Sequence, residues 1–160
     1  MKRIAVYAGS FDPITTGHLD LVTRAVSLFD EVVLSIGTNP KKDYFLPMEV
    51  RRQVLEECAA PFPNVSVDTF DGLLIDHCRS LGANFILRGL RAVTDFEFEF
   101  QMAMMNFHLN PEITSLFMMP DEKFIHLNST VVKDVAKNGG DVTAFVPQCV
   151  REALFAKYSN

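Results

Sequence analysis

The sequence predicts a doubly wound α/β fold, with a parallel five-stranded sheet and helices on both faces. Three observations predict it. Five apolar runs have strand length, segments of helical periodicity lie between them, and glycine or proline marks where several of those segments start or stop. Strands joined through helices make parallel sheets flanked by helical layers.

The elements follow in order. "RIAVYA" (3–8) reads as a buried strand. After it, Leu19, Val22, Val26 and Phe29 recur at helical spacing, with Ala25 filling the same stripe. "EVVLSIG" (31–37) is a second strand and "TNPKKDYF" (38–45) a loop. A helix opens around Pro47, a residue suited to a first turn, and runs toward Cys58. "NVSVDTF" (64–70) is the third strand, and Leu73 to Leu81 form a short helix closed by Gly82 at C′. "NFILRG" (84–89) and "TSLFMM" (114–119) are the fourth and fifth strands, the last ended by Pro120. "NSTVVKDVAKNGG" (128–140) is a helix with a polar N-cap and a glycine stop, and Pro147 starts a final helix to about Tyr158. The arrangement is Rossmann-like, and no repeat or linker divides residues 1–160, which are expected to form one domain.

One segment fits two periodicities. In "DFEFEFQMAMMNFHLNP" (95–111), Phe96, Phe98, Phe100, Met102 and Met104 alternate as in a strand. As a helix it carries one stripe of Phe96, Phe100, Ala103, Met104 and Phe107, and a second of Phe98, Met102, Met105 and Leu109. Length and Pro111 favour the helix. Two apolar stripes predict one face on the core and one on a second copy of the chain.

Composition narrows the function. Hydrophobic residues make up 48% of the 160-residue chain and charged ones 22%, values of a soluble globular protein. A formal net charge of −5 argues against a broad nucleic-acid surface, which needs a basic face. Cys58, Cys78 and Cys149 are odd in number and show no metal-ligand or disulfide spacing, so they read as buried or free thiols in a reducing compartment. The N-terminus has no leader-like apolar region and no run has membrane-spanning length, which predicts a cytoplasmic protein without a membrane partner.

Ligands of such sheets bind beyond the carboxyl ends of the strands. The loop after the first strand, "AGSFDPITTGH", is longer than a turn requires. Gly9 and Gly17 permit close backbone approach, Ser10, Thr15 and Thr16 carry hydroxyls, and a helix starting near Gly17 points free N–H groups at the strand end. His18 at that terminus adds a donor. The plain alternative is a polar turn with a surface histidine. Lys41 and Lys42 could likewise be a solvated pair, and Ser129 and Thr130 simple N-cap residues. His77, His108 and His126 share no metal-ligand spacing and read as structural. Neither a Walker A sequence nor a G-x-G-x-x-G occurs.

"GSFDPITTGH" resembles the T/H-x-G-H signature of the nucleotidylyltransferase superfamily, here Thr15-Thr16-Gly17-His18. The resemblance continues at "FDGLL" (70–74), at "RGLRAVTDFEFE" (88–99) and at "NSTVVKDVAKNGGDV" (128–142). Block spacing and length are similar to the bacterial phosphopantetheine adenylyltransferase family. That resemblance implies adenylyl transfer from ATP to 4′-phosphopantetheine, with Mg²⁺ arriving on ATP and no dedicated protein metal ligands. It implies His18 at the α-phosphate; Ser10, Lys42, Leu74 and Arg88 on phosphopantetheine; and Ser10, Phe11, His18, Gly89, Leu90, Arg91 and Glu99 on ATP. The segment Phe124, Ile125, His126, Leu127, Asn128, Ser129 and Thr130 would frame the adenine and triphosphate. The family is also hexameric, so a homo-oligomer is expected. Phe98 and Asn128 depart from the family, where tyrosine and serine are common. Competing readings are a nucleotidylyltransferase with another acceptor, such as nicotinamide mononucleotide or a sugar or glycerol phosphate, and a non-catalytic nucleotide-binding module.

Overall fold

The computed structural model describes residues 2–158. Five parallel strands, β1 (Ile4–Gly9), β2 (Glu31–Gly37), β3 (Val65–Phe70), β4 (Phe85–Gly89) and β5 (Thr114–Met118), form one sheet in the order β3-β2-β1-β4-β5. The helices are α1 (Thr16–Ala25), α2 (Met48–Ala59), α3 (Leu74–Ser80), α4 (Val93–Leu109), α5 (Ser129–Lys137) and α6 (Gln148–Tyr158), with a 3₁₀ turn at Glu122–Phe124. Among the described residues no helix is long and apolar enough to cross a membrane.

Strand alternation divides the core. Ala5 and Tyr7 of β1 face Leu21 and Val22 of α1, Leu55 of α2, Val132 of α5 and Leu154 of α6. Val6 and Ala8 point the other way, onto Ile75 and Cys78 of α3. Each fully buried Leu, Ile or Val contributes roughly 1.5–3 kcal/mol through removal from water, so these two layers hold the sheet rigid. The chain leaves β1 toward β2 and β3, then crosses to β4 on β1's other side. Connections therefore diverge at the carboxyl ends of β1 and β4, and a crevice opens between them.

Two predicted stops form as expected. Gly82 follows α3 with φ of 63°, and Gly139 follows α5 with φ of 74°, the left-handed conformation that costs glycine no Cβ clash. Other details differ. The stripe through Phe29 suggests a longer first helix, but α1 stops at Ala25 and Phe29 is buried from the following turn. The residue that caps α5 is Asn128, whose side chain accepts from the Val131 N–H, so neither Ser129 nor Thr130 is the N-cap. Cys58 and Cys149, far apart in sequence, come within 3.8 Å because α2 and α6 pack on the same sheet face; both remain free thiols.

The 95–111 segment is helical, within α4, yet neither apolar stripe enters the core. Phe96, Phe98, Phe100, Met102, Met104, Met105, Phe107 and Leu109 are each 43–61% exposed. The residues α4 buries are Glu99 and Asn106, both polar. α4 lies along the edge strand β5, where Phe96 meets Phe117 edge-on, and its polar side faces the strand-end crevice.

Candidate active site

The crevice has a volume of about 430 Å³, within the usual range for small-molecule sites. Its walls include Ser10, Phe11, His18, Arg88, Gly89, Arg91, Glu99, Phe124, Leu127, Asn128, Ser129 and Thr130, so most of the residues singled out from sequence converge there. Five do not line it. Leu74 borders a smaller adjoining hollow of about 100 Å³ that shares Arg88, Phe98 and Glu99 with the crevice. Lys42 is exposed on the β2–α2 loop, its Nζ 5.8 Å from the Tyr44 ring. The Leu90 N–H is used by the Met118 carbonyl, and Ile125 and His126 are exposed on the outside of the 3₁₀ turn.

The floor is built by the β1–α1 loop. Phe11 holds φ at 44°, a left-handed conformation that strains a residue with a Cβ, while its ring is buried against Tyr7 and lies 5.5 Å from His18. The Asp12–Pro13 peptide bond is cis. Thr15 then caps α1 in a reciprocal box: its Oγ1 accepts from the His18 N–H at 3.4 Å, and its own N–H donates to His18 Nδ1 at 3.0 Å. Histidine thus does the work usually given to Glu or Gln at the third helical position. Thr15 Oγ1 also lies 2.8 Å from Nδ1.

That box assigns the imidazole proton. A backbone N–H can only donate, so Nδ1 must be the bare, accepting nitrogen. In the neutral ring the proton is then on Nε2. The ring stays neutral because burial, followed by the nearby Arg91 and Arg88 charges, lowers its pKa to about 4. His18 is therefore a fixed, uncharged N–H donor on the crevice wall.

The remaining donors are fewer than the loop sequence suggests. The Thr16 N–H and hydroxyl both go to the Phe145 carbonyl, at 2.9 and 3.1 Å, so Thr16 is not a phosphate donor. With the His18 N–H in the cap, Gly17 keeps the one uncommitted N–H of the first three in α1, among the described residues. Gly17 lies against the 3₁₀ turn: a Cβ there would meet Phe124 at a contact distance of 3.4 Å.

Two arginines supply positive charge. Arg88 forms a forked pair with Glu99, Nε to Oε2 at 2.7 Å and Nη2 to Oε1 at 2.5 Å, while Nη1 donates to the Ala8 carbonyl at 2.7 Å. Three of its five N–H groups are used, leaving two for a ligand. Both Glu99 oxygens accept from Arg88, so Glu99 orients that guanidinium. Arg91 pairs with Asp95 and reaches the Leu127 carbonyl at 3.3 Å, bridging the α4 start to the segment before α5. The Ser129 hydroxyl donates to the Pro13 carbonyl at 2.7 Å and ties that segment to the floor.

Sequence reasoning missed the clamps behind this surface. Buried Asp12 accepts from the Phe45 and Leu46 N–H groups at 2.9 and 2.8 Å and from Lys133 at 3.1 Å. Arg51, also buried, donates to the Leu46 and Ser10 carbonyls at 3.0 and 2.8 Å and stacks 4.0 Å from the Tyr44 ring centre. Together they fasten the Lys42 loop to the β1–α1 loop and to α5. One signal was available for Arg51: it falls on the apolar face of α2, with Val54, Leu55 and Cys58.

The cytidylyltransferase-like family model matches residues 6–135. The phosphopantetheine adenylyltransferase of Methylococcus capsulatus is 50% identical over 160 residues, covering 100% of this chain and 99% of that protein. That of Syntrophotalea carbinolica is 47% identical over 159 residues, covering 99% and 96%. Among solved structures, a bifunctional NMN adenylyltransferase/ADP ribose pyrophosphatase from Francisella tularensis, complexed with AMP and manganese, superposes with a TM-score of 0.73 at 18% identity. The match covers 100% of this chain and 50% of that one, and it shows the shared fold.

A lowered His18 pKa has a consequence for stability. Between the ordinary value of 6.5 and about 4, the unfolded chain binds a proton that the folded chain refuses, so stability falls as pH drops through that window. Comparing wild type with His18→Gln by urea unfolding, about 2 kcal/mol of pH dependence between about pH 7 and about pH 4.5 should be absent from the variant. Parallel pH profiles would mean that His18 is not held neutral.

Proposed function

The chain belongs to the cytidylyltransferase-like family and, within it, to the phosphopantetheine adenylyltransferases; we propose that it transfers the adenylyl group of ATP to 4′-phosphopantetheine, giving dephospho-CoA and pyrophosphate in coenzyme A biosynthesis. The observation that supports the chemistry best is a neutral imidazole N–H and two guanidiniums meeting at one strand-end crevice.

The reaction needs little covalent help from protein. A phosphate oxygen of phosphopantetheine attacks the α-phosphorus of ATP, a new P–O bond forms, and the bond to the β-phosphate breaks with its electrons leaving on pyrophosphate. Alignment and charge stabilisation dominate such transfers. His18 Nε2–H and the Gly17 N–H donate to α-phosphate oxygens as charge redistributes at the five-coordinate phosphorus. Because His18 is uncharged and fixed by Thr15, it needs no reorganisation as that charge develops. The two spare Arg88 N–H groups, the Ser10 hydroxyl and Lys42 hold the acceptor phosphate, and Leu74 meets the pantetheine arm in the adjoining hollow. Arg91 serves the ATP phosphates, and Gly89, Phe124 and residues 127–130 frame the nucleotide, with Phe11 beneath it. Glu99, on the same wall, orients the Arg88 guanidinium toward the acceptor phosphate. Mg²⁺ is carried in with ATP as part of the substrate, the usual way this ion meets phosphates.

The protein works in the cytoplasm as a homo-oligomer, hexameric by resemblance. The exposed apolar side of α4 motivates the oligomer: a surface of that kind is normally covered by a partner.

Incubation with MgATP and 4′-phosphopantetheine should yield dephospho-CoA and pyrophosphate, and nicotinamide mononucleotide should not replace the acceptor. Product with the mononucleotide alone would move the chain to a different acceptor class. His18→Ala should lower kcat by roughly 10²–10³-fold with KM values little changed, the scale for one preorganised donor. A raised KM for ATP at full kcat would make the histidine a ground-state binder. Light scattering at micromolar protein should report a mass several times that of the chain, and a stable monomer would contradict the oligomer.

A further inference from the structure

Tyr7 is a group that the mechanism above does not use. It lies on β1, two residues before the strand ends at Gly9, and is 5% exposed. Its ring is fixed edge-on against Phe11, with centroids 5.6 Å apart and planes at 87°, and its centroid is 6.3 Å from that of His18. Tyr7 nevertheless lines the crevice. Gly89 lies beside the phenol: a Cβ there would be at a contact distance of 3.7 Å from the Tyr7 oxygen, its tight approach being to Leu21 at 2.6 Å.

The hydroxyl has no hydrogen-bond partner among the described residues. A buried phenol ordinarily finds one. The only fully enclosed side-chain polar atom without a partner among those residues is Asn84 Oδ1, so the Tyr7 oxygen is open to the crevice. The two carboxylates on the crevice wall are turned to arginines instead. Both Glu99 oxygens are taken by Arg88, and Asp95 is paired with Arg91.

We propose that the Tyr7 hydroxyl is a substrate-binding donor of this site, giving its hydrogen bond to a phosphoryl oxygen of the bound nucleotide. The sign of the surroundings selects that acceptor. The Arg88 and Arg91 charges act on the phenol against the opposing Glu99 charge, and an anionic oxygen that meets the spare guanidinium N–H groups together with the Tyr7 O–H gains from several directed donors. The phenol keeps its proton there, because burial raises its pKa more than the two guanidiniums lower it. A ribose hydroxyl would use the O–H without using the spare guanidinium N–H groups.

The inference rests on the nucleotide-binding reading above, and wild-type turnover to dephospho-CoA serves as the control for that reading. Tyr7→Phe removes one oxygen and keeps the ring against Phe11. Its melting temperature should match wild type, since the hydroxyl has no protein partner to lose. Calorimetry with MgATP and with magnesium pyrophosphate should show both bound roughly 10- to 100-fold more weakly, the range for losing one hydrogen bond to a charged group, and kcat/KM for ATP should fall with them. Adenosine should compete equally well for both proteins. Unchanged pyrophosphate and ATP binding would overturn the proposal. So would weaker adenosine competition with pyrophosphate unaffected, which would place the hydroxyl on the ribose. A lowered melting temperature with unchanged ligand binding would make the hydroxyl structural and also overturn it.

Discussion

The site depends on the reciprocal hydrogen bonding between Thr15 and His18. One pair of contacts performs two tasks: it closes the N-terminus of α1, and it decides which imidazole nitrogen carries the proton. A Glu in the same capping position would satisfy the Thr15 N–H equally well but would bring a negative charge to the phosphate end of the crevice. Histidine caps the helix with one nitrogen and leaves the other free to donate. Burial and the two arginines then remove the competing protonated form.

A neutral donor beside two guanidiniums is consistent with how the charge is arranged. Arg88 and Arg91 already hold carboxylate partners, Glu99 and Asp95, so the empty crevice is not a strong positive well. What it offers a phosphate is direction: spare N–H groups on oriented guanidiniums, one backbone N–H and one imidazole N–H. Such groups stabilise a changing charge distribution better than they attract a resting one. Behind them, Asp12 and Arg51 bind the β1–α1 loop, the Lys42 loop and α5 into one unit, each through contacts with backbone or with Lys133. Losing either buried charge would leave its partners unsatisfied, which is far costlier than loss of a surface pair.

The strands were legible because apolar residues cluster in short runs between helical segments, alternating with polar ones in β3, and Gly82 and Gly139 sit where helix stops were expected. Most of the site was legible too, because the motif blocks that carry the family resemblance follow β1 and β4, which are neighbours in the sheet, and lead into α5. What stayed hidden depends on which partner a group finds in three dimensions. Thr16 looks like a phosphate donor until the Phe145 carbonyl, 129 residues later, takes both its N–H and its hydroxyl. Glu99 lies on the crevice wall as expected, but its fork onto Arg88 could not be read from spacing. Periodicity placed α4 correctly as a helix but could not tell that its polar side, with Glu99 and Asn106, would turn inward and leave both apolar stripes out. Cys58 and Cys149 meet only because α2 and α6 share a sheet face.

The protonation state of His18 is the claim on which the rest stands, and nitrogen NMR of the labelled imidazole measures it directly. A bare Nδ1 and a protonated Nε2 are expected, with shifts that stay constant from about pH 8 down to about pH 5, well below where a free histidine titrates. A midpoint near 6.5, or the proton found on Nδ1, would contradict it.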